Sequence, residues 1–443
     1  MTRVMKTVHV TWSARLTLGA VLGVLTLAGP AVSPAQAEPA FLSKQYTRCT
    51  SCHISPTGGG LLSSYGRSLS GRELSMTSRM SSDPSKPGRE EQFLWGALGN
   101  ALGPVQLGAQ LRPSHIRTAQ GNFSDGRNIW MQADLLAAVQ HGGFTFYGEA
   151  GRNPEEQKLT SYEHWGSYQT KGGYGIRAGR FFPAYGVRFA DHTAFNRERL
   201  GFDMYDQVYG VELSRSGEKS LVQVTLSPGL ARSFGLSNTP RFGEGNRVSD
   251  GNRPPEGTRP PGDRPVGAGG PPAGFTGGGG TGTITRPTFT APVQTTTANH
   301  AFNATARVQF DVGSSMAIVA SGVFREATRF QARNGSGGLA LGLSPLKRVT
   351  VWTQADAHST EGTGHSYIVV NETSVEAVRG LWLRLSPQLR TTAGRQAQVM
   401  RWAYSAMVLP RTHFGVEASY YHDKTKGRPT PTGTFLLQFN AYL

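Results

Sequence analysis

The stretch NATARVQFDV, residues 303–312, decides the fold, because its side chains alternate between apolar and polar at nearly every step. One set consists of Ala304, Ala306, Val308, Phe310 and Val312, and the other of Asn303, Thr305, Arg307, Gln309 and Asp311. A period of two places successive side chains on opposite faces of a β-strand. The stretch therefore predicts a strand with one apolar face and one polar face.

The same alternation returns along the chain. It is visible in IWMQADLLAAVQ (129–140), VTVWTQADAH (349–358) and LWLRLSPQLR (381–390). These strands are about ten residues long, which is typical of barrels whose apolar face meets lipid and whose polar face lines a lumen. Their apolar sets are rich in Ala, Val and Leu rather than in bulky core residues. The pattern predicts an all-β fold, a transmembrane antiparallel β-barrel.

The connections indicate how many strands there are. Between Val105 and Leu443 we count sixteen strands, with fourteen and eighteen as alternatives. Short links are predicted at 141–143, 171–173, 216–219, 313–315, 344–348, 378–380 and 410–412. Long links are predicted at 119–126, 153–160, 184–205, 230–298, 328–335, 359–364, 391–397 and 424–432. Short periplasmic turns and long outer loops are typical of such barrels.

The final strand, FLLQFNAYL, places Phe435, Leu437 and Phe439 on one face. Its alternation resembles the C-terminal signal that the outer-membrane barrel-assembly machinery reads. The terminal residue is Leu443, where that signal usually has an aromatic residue.

The only two cysteines of the chain lie in TRCTSCHISPTGGG, and His53 directly follows the second of them. The spacing Cys49-x-x-Cys52-His53 is the attachment pattern of a c-type haem, in which two thiols bond to the porphyrin vinyl groups and the histidine binds iron. A disulfide would close too small a ring to add much stability. A thioredoxin-like pair would need a βαβ context, and a zinc site would need a further ligand pair. The motif therefore predicts one covalent haem c per chain.

The N-terminus supports this interpretation. Arg3, Lys6 and Arg15 precede an apolar run from Leu16 to Gly29, and Ala35-Gln36-Ala37 follows it. This order is typical of a secretory signal peptide, predicted here over residues 1–37. Residues 38–90 then form the predicted haem-binding segment, and 104–443 the predicted outer-membrane barrel.

The run CTSCHISPTGGGLLSSYGRSLSGRELS resembles the N-terminal haem segment of bacterial outer-membrane barrel proteins of the porin–cytochrome kind. In the barrel, RAGRFFPAYGVR (177–188) is similar to stretches of substrate-selective porins. The resemblance implies that Cys49 and Cys52 form the thioethers and that His53 is the proximal ligand. It also implies that Gly58, Gly59 and Gly60 turn the backbone closely past the porphyrin, since glycine tolerates positive φ. A flexible glycine linker is the alternative.

The identity of the sixth iron ligand is open. By analogy with the third loop of sixteen-stranded porins, which folds inward, His192 is one candidate. Met76 and Met80 are the alternatives, and a methionine would raise the reduction potential. An open position or another ligand is also consistent with the sequence.

Charge and composition limit the partners. The net charge is +16, and Arg112, Arg307, Arg384 and Arg390 fall on predicted lumen faces, where they favour anions or complement haem propionates. Residues 230–298 are rich in Gly, Pro and Arg and predict a disordered outer loop, either a spacer or a contact for anionic polymers. Nothing in the sequence indicates nucleic acid or a hydrolytic active site.

We therefore expect a non-enzymatic barrel in the outer membrane of a Gram-negative bacterium, with the haem segment on the periplasmic or lumen side. It would transfer electrons between a periplasmic cytochrome and an extracellular acceptor, in contact with outer-membrane lipid. A selective anion porin with a structural or redox-sensing haem is the main alternative, and a peroxidase the third. Porin-like barrels are often trimers, so the analogy also allows an oligomer.

Overall fold

The structure is a computed structural model of the 443-residue chain. It describes residues 39–77, 92–93, 104–152, 159–191, 193–198, 200–202, 206–228, 302–327, 332–392 and 397–442. The predicted signal peptide 1–37 and the predicted outer loop 230–298 lie outside the described residues, as does a second unit, Pro240–Thr297.

Sixteen antiparallel strands close into one barrel, in which each strand pairs with its sequence neighbours and β1 pairs with β16. The predicted fold class and strand number are therefore confirmed. The strands are β1 Val105–Gln120, β2 Phe123–His141, β3 Phe144–Arg152, β4 Leu159–Gln169, β5 Tyr174–Phe181, β6 Val208–Ser216, β7 Ser220–Ser227, β8 Asn303–Val312, β9 Met316–Arg325, β10 Asn334–Leu346, β11 Val349–Thr360, β12 Gly364–Val378, β13 Leu381–Thr391, β14 Gln398–Arg411, β15 Phe414–Thr425 and β16 Thr432–Tyr442.

The strand faces are reversed relative to a water-soluble protein. On β8, Phe310 is 51% exposed, whereas its neighbour Gln309 is 1% exposed and points into the barrel. On β16, Phe439 is 52% exposed and Gln438 is buried. Large apolar side chains on the outside and polar ones inside are what a lipid-facing barrel requires.

All seven predicted short links are turns in the structure, and they define the short-turn end of the barrel. Two predicted long links are wrong. The β1–β2 link is only residues 121–122, because Gly121 adopts φ +58° and the ladder continues to the pair Gln120–Phe123. The β11–β12 link is residues 361–363, where Gly362 has φ +81°. The remaining long links are longer than the turns, and they lie at the opposite, long-loop end.

The barrel interior is filled by two inserts. The N-terminal insert comprises a 3₁₀ helix Pro39–Lys44, a 3₁₀ turn Cys49–Ser51, helix α1 (Ser64–Leu69) and a π-helical turn Ser70–Leu74. The second insert is the loop between β5 and β6, the third link at the long-loop end, which carries the short helix α2 (Phe195–Glu198) and which we call the inner loop. The loop folds inward, as the porin analogy predicts, and its Phe189 and Phe195 pack with Trp352 of the barrel wall. Among the described residues, no helix is long and apolar enough to cross a membrane.

Candidate functional site

The Cys49–His53 stretch forms a compact turn that returns on itself. The backbone N–H of His53 donates to the Cys49 carbonyl at 3.1 Å, and Ile54 N donates to Leu61 O at 3.0 Å. The chain then enters α1, whose N-cap Ser63 accepts a hydrogen bond from Gly66 N at 3.1 Å. Such a cap satisfies a helix N–H that would otherwise lack a partner. The turn therefore holds both thiols and the imidazole within one short structural unit.

Glycines are required at two places around the motif. Gly58, Gly59 and Gly60 have φ values of +79°, +76° and +61°, a conformation that residues with a side chain rarely adopt. A Cβ on Gly58 would lie 3.0 Å from Cys49 Sγ. A Cβ on Gly66 of α1 would lie 2.3 Å from the Cys52 carbonyl oxygen, so the helix packs directly on the motif backbone. The glycine run is an ordered turn against Cys49, whereas its predicted passage along a porphyrin stays a prediction.

The motif opens into a cavity of about 300 Å³ inside the barrel. Cys49, Cys52 and His53 all line it, together with the three glycines. The opposite side is formed by the barrel wall and the inner loop, including Arg112, Asp134, Glu149, Glu163, Phe182, Arg188, Asp191, Arg384 and Tyr442. The three residues of the motif thus line the same cavity.

The chemistry of these side chains fits a covalently attached haem. Cys49 and Cys52 are not joined in a disulfide, so both thiols remain for thioether bonds. The His53 Nδ1 atom is buried without a hydrogen-bond partner. Burial, and then the nearby Arg188 charge, lower the pKa of His53 to about 4, so its imidazole is neutral at physiological pH. A neutral imidazole is the form that binds a metal.

Both cationic and anionic side chains line the cavity. Arg188 donates from Nη1 to the Gly58 carbonyl at 2.5 Å. Its Cζ atom lies 4.2 Å from the centroid of the Phe182 ring. The carboxylates of Glu149 and Glu163 accept hydrogen bonds from Tyr147 Oη and Trp165 Nε1 respectively. The sequence pattern did not single out these carboxylates, because any inward position of a strand is expected to be polar.

The N-terminal insert is bound to the short-turn end by ion pairs and backbone contacts. Arg48 Nη1 donates to Gly217 O at 2.8 Å, and Lys44 Nζ lies 2.6 Å from Glu376 Oε2. Arg379 Nε donates to Ser75 O at 2.8 Å. These basic anchors were not predicted, although the position of Arg48 immediately before Cys49 is a signal that could have been used.

The candidate sixth ligands are placed as follows. His192 and Met80 lie outside the described residues. Met76 is 38% exposed, its backbone N–H donates to Leu409 O, and it is not among the residues lining the cavity. The sixth ligand therefore stays a prediction.

The four predicted lumen arginines do face inward. Arg112 and Arg384 line the cavity, Arg307 donates to Gly186 O at 2.9 Å, and Arg390 lies over the Phe195 ring of the inner loop. Arg384 also forms an ion pair with Glu417. The charge of Arg384 is thus balanced by a carboxylate inside the barrel.

Comparison with known proteins identifies the fold. No family model matches the chain, and no curated protein matches it either. Pseudomonas putida OprB is similar over 79% of this chain and 97% of its own, with 7% identity and a TM-score of 0.53. A loop-deletion mutant of OmpT, an outer membrane protein of Vibrio cholerae, is also similar. The match covers 76% of this chain and 99% of the OmpT chain, with 9% identity and a TM-score of 0.51. Salmonella typhi OmpF in complex with daunomycin is similar over 76% of this chain and 97% of its own, with 8% identity and a TM-score of 0.50. The barrel is a porin-type barrel.

Proposed function

We propose that the chain is an outer-membrane barrel that carries one covalent c-type haem and transfers electrons at or across the outer membrane. The observation that carries this proposal is that Cys49, Cys52 and His53 line one cavity inside a closed porin-type barrel. A bound haem would supply reversible one-electron chemistry, while the protein supplies its attachment and environment.

The residues of the cavity would take distinct parts. Cys49 and Cys52 would provide the thioether bonds, and His53 the proximal nitrogen. Arg112, Arg188, Arg197 and Arg384 line the cavity and would be the cations available to pair with propionate groups. The three glycines keep the turn narrow enough that the thiols and the imidazole face the same space.

The filled interior favours electron transfer over free diffusion of solutes. The N-terminal insert enters from the short-turn end, and the inner loop packs its Phe189 and Phe195 against the opposite wall. Electrons can pass through packed protein, whereas hydrated solutes need a continuous wet path. The expected partners are a periplasmic cytochrome on one side and an extracellular acceptor on the other.

The second candidate is a selective porin in which the haem has a structural or redox-sensing part. The inward arginines favour it, because a basic lumen attracts anions. The ion pair of Arg384 with Glu417 weakens that attraction. A peroxidase would need an open iron position, and carbon monoxide binding to the ferrous protein would detect one.

Vesicle experiments separate the two main candidates. The full chain would be produced with a c-type maturation system and reconstituted in liposomes that enclose reduced methyl viologen. Addition of external ferric citrate should oxidise the enclosed dye only when the protein carries haem, and the double variant Cys49→Ser/Cys52→Ser is the control. Rapid uptake of small anions without dye oxidation would support the porin instead.

A further inference from the structure

The short-turn end of the barrel exposes a set of cations. Six exposed basic side chains lie in or directly beside the described short turns: Lys171, Lys219, Lys347, Arg348, Arg379 and Arg411. In the same turns, Glu218 is the one exposed carboxylate. We call these six residues the basic rim.

The long-loop end differs. Its described exposed residues include the carboxylates Asp125, Glu326 and Glu361 among the cations Arg117, Arg127, Lys424, Lys426 and Arg428. Among these described residues the two signs are mixed, whereas the rim has nearly one sign. Because the exposed charges differ, the described residues of the two barrel ends present different electrostatic fields to approaching molecules.

The basic rim lies beside the haem motif. Arg48 directly precedes Cys49, and its guanidinium donates to the carbonyls of Gly217 and Glu218, at 2.8 and 3.0 Å. The next residue, Lys219, belongs to the rim. At a second point, Arg379 of the rim donates to Ser75 O of the N-terminal insert. The exposed Glu73 of the insert adds one negative charge to this face, besides that of Glu218.

We propose that the basic rim is the docking surface for a soluble, acidic electron-carrier protein. The inference rests on the proposed function, because it assumes that the Cys49–His53 motif holds a redox group. Complementary charge on two proteins accelerates their encounter and orients it, and the effect weakens as salt is added. A carrier held at the rim would approach the barrel at the end where the motif is anchored.

The probe is one carrier in two charge states. A soluble basic cytochrome c and the same protein with its lysines succinylated share a fold and differ in charge. Stopped-flow mixing with the haem-loaded barrel in neutral detergent gives the rate of electron exchange in the direction that the two potentials allow. Gel filtration of the mixture gives binding independently of electron transfer. Both are measured at several ionic strengths.

Charge reversal on the rim has a matched control. Lys347→Glu/Arg348→Glu changes two exposed rim residues in the β10–β11 turn, and Lys424→Glu/Lys426→Glu makes the same change in charge at the long-loop end. With the succinylated carrier at low salt, we expect the rim variant to lower the rate about tenfold and to abolish co-elution. The control variant should behave as wild type, and added salt should remove the difference.

Several results would overturn the proposal. One is an equal rate for both carriers at low salt, and another is an equal loss in the two variants. A third is an unchanged rate in the rim variant together with reduced retention of phosphatidylglycerol, which would make the rim a lipid-headgroup site. Failure of the proposed function looks different: the purified barrel would then lack covalent haem, while co-elution with the acidic carrier would still report on the rim.

Discussion

Arg48 and Asp311 form a buried ion pair that joins the Cys49–His53 motif to the barrel wall, with 2.7 Å between Arg48 Nε and Asp311 Oδ2. The two side chains are 1% and 8% exposed. Asp311 lies on β8, in the strand whose alternation predicted the fold. Because Arg48 precedes Cys49, this pair anchors the start of the motif to the inner face of β8, together with the hydrogen bond from Gln309 Nε2 to Thr47 O.

Loss of the pair should loosen the N-terminal insert. Arg48→Ala leaves the Asp311 carboxylate buried without its cation, and removal of one partner of a buried pair costs about 3–5 kcal/mol. We expect faster proteolytic release of the insert from the folded barrel. The double variant Arg48→Ala/Asp311→Ala should recover part of the loss, because no unpaired charge remains. Wild-type resistance in the single variant would contradict this assignment.

The two thiols should be required for covalent haem. Cys49→Ser or Cys52→Ser removes one of the two thioether positions, so haem that survives acid and denaturant should fall sharply. A haem stain on a denaturing gel measures this directly. Thr50→Ala changes an exposed residue between the cysteines and should keep the stain. Unstained wild-type protein, produced with a maturation system, would refute the haem itself.

The glycine turn should affect haem attachment through contact with Cys49. Gly58→Ala forces a side chain into φ +79° and places its Cβ 3.0 Å from Cys49 Sγ. Gly142→Ala is the matched control, since its φ is +57° but nothing lies within 4 Å of the added Cβ. Both should lose about 1 kcal/mol of stability from the left-handed backbone. Only Gly58→Ala should also lower the yield of covalent haem, and equal yields would indicate that the contact does not matter.

Much of this architecture followed from the sequence, for a physical reason. A strand that faces lipid on one side and the lumen on the other alternates at every residue, as Asn303–Val312 does. The wall beside the inner loop breaks that rule: Trp352 and Val370 point inward and are buried against the loop. The β1–β2 turn was predicted as a long link because the strand ends that extend beyond the membrane carry no apolar periodicity. The anchors Arg48 and Arg188 were missed because their partners are distant in sequence.

Orientation in the membrane should follow the loop lengths. The turn 313–315 belongs to the short-turn end, and the link 426–431 belongs to the long-loop end. Porin-type barrels place short turns in the periplasm. An epitope inserted after Gly427 should therefore bind antibody on intact cells, and one inserted after Gly313 should bind only after the outer membrane is permeabilised. The reverse labelling would place the Cys49–His53 motif at the outer face.

The inner loop should supply the sixth iron ligand through His192. Asp191, the residue before it, lines the same cavity as Cys49, Cys52 and His53, although His192 itself lies outside the described residues. Met76 is 38% exposed and its backbone N–H is bound to Leu409 O at the barrel wall, so it would have to leave that position to reach the cavity.

Two imidazoles favour ferric iron more than an imidazole and a thioether do, so the reduction potential of a His53–His192 site should be low. His192→Ala should convert a low-spin spectrum to a high-spin one and increase ion conductance in planar bilayers, because the loop loses a bond to the N-terminal insert. Met76→Ala and Met80→Ala should leave both unchanged. A low-spin spectrum that survives in His192→Ala but disappears in either methionine variant would move the ligand to the N-terminal insert.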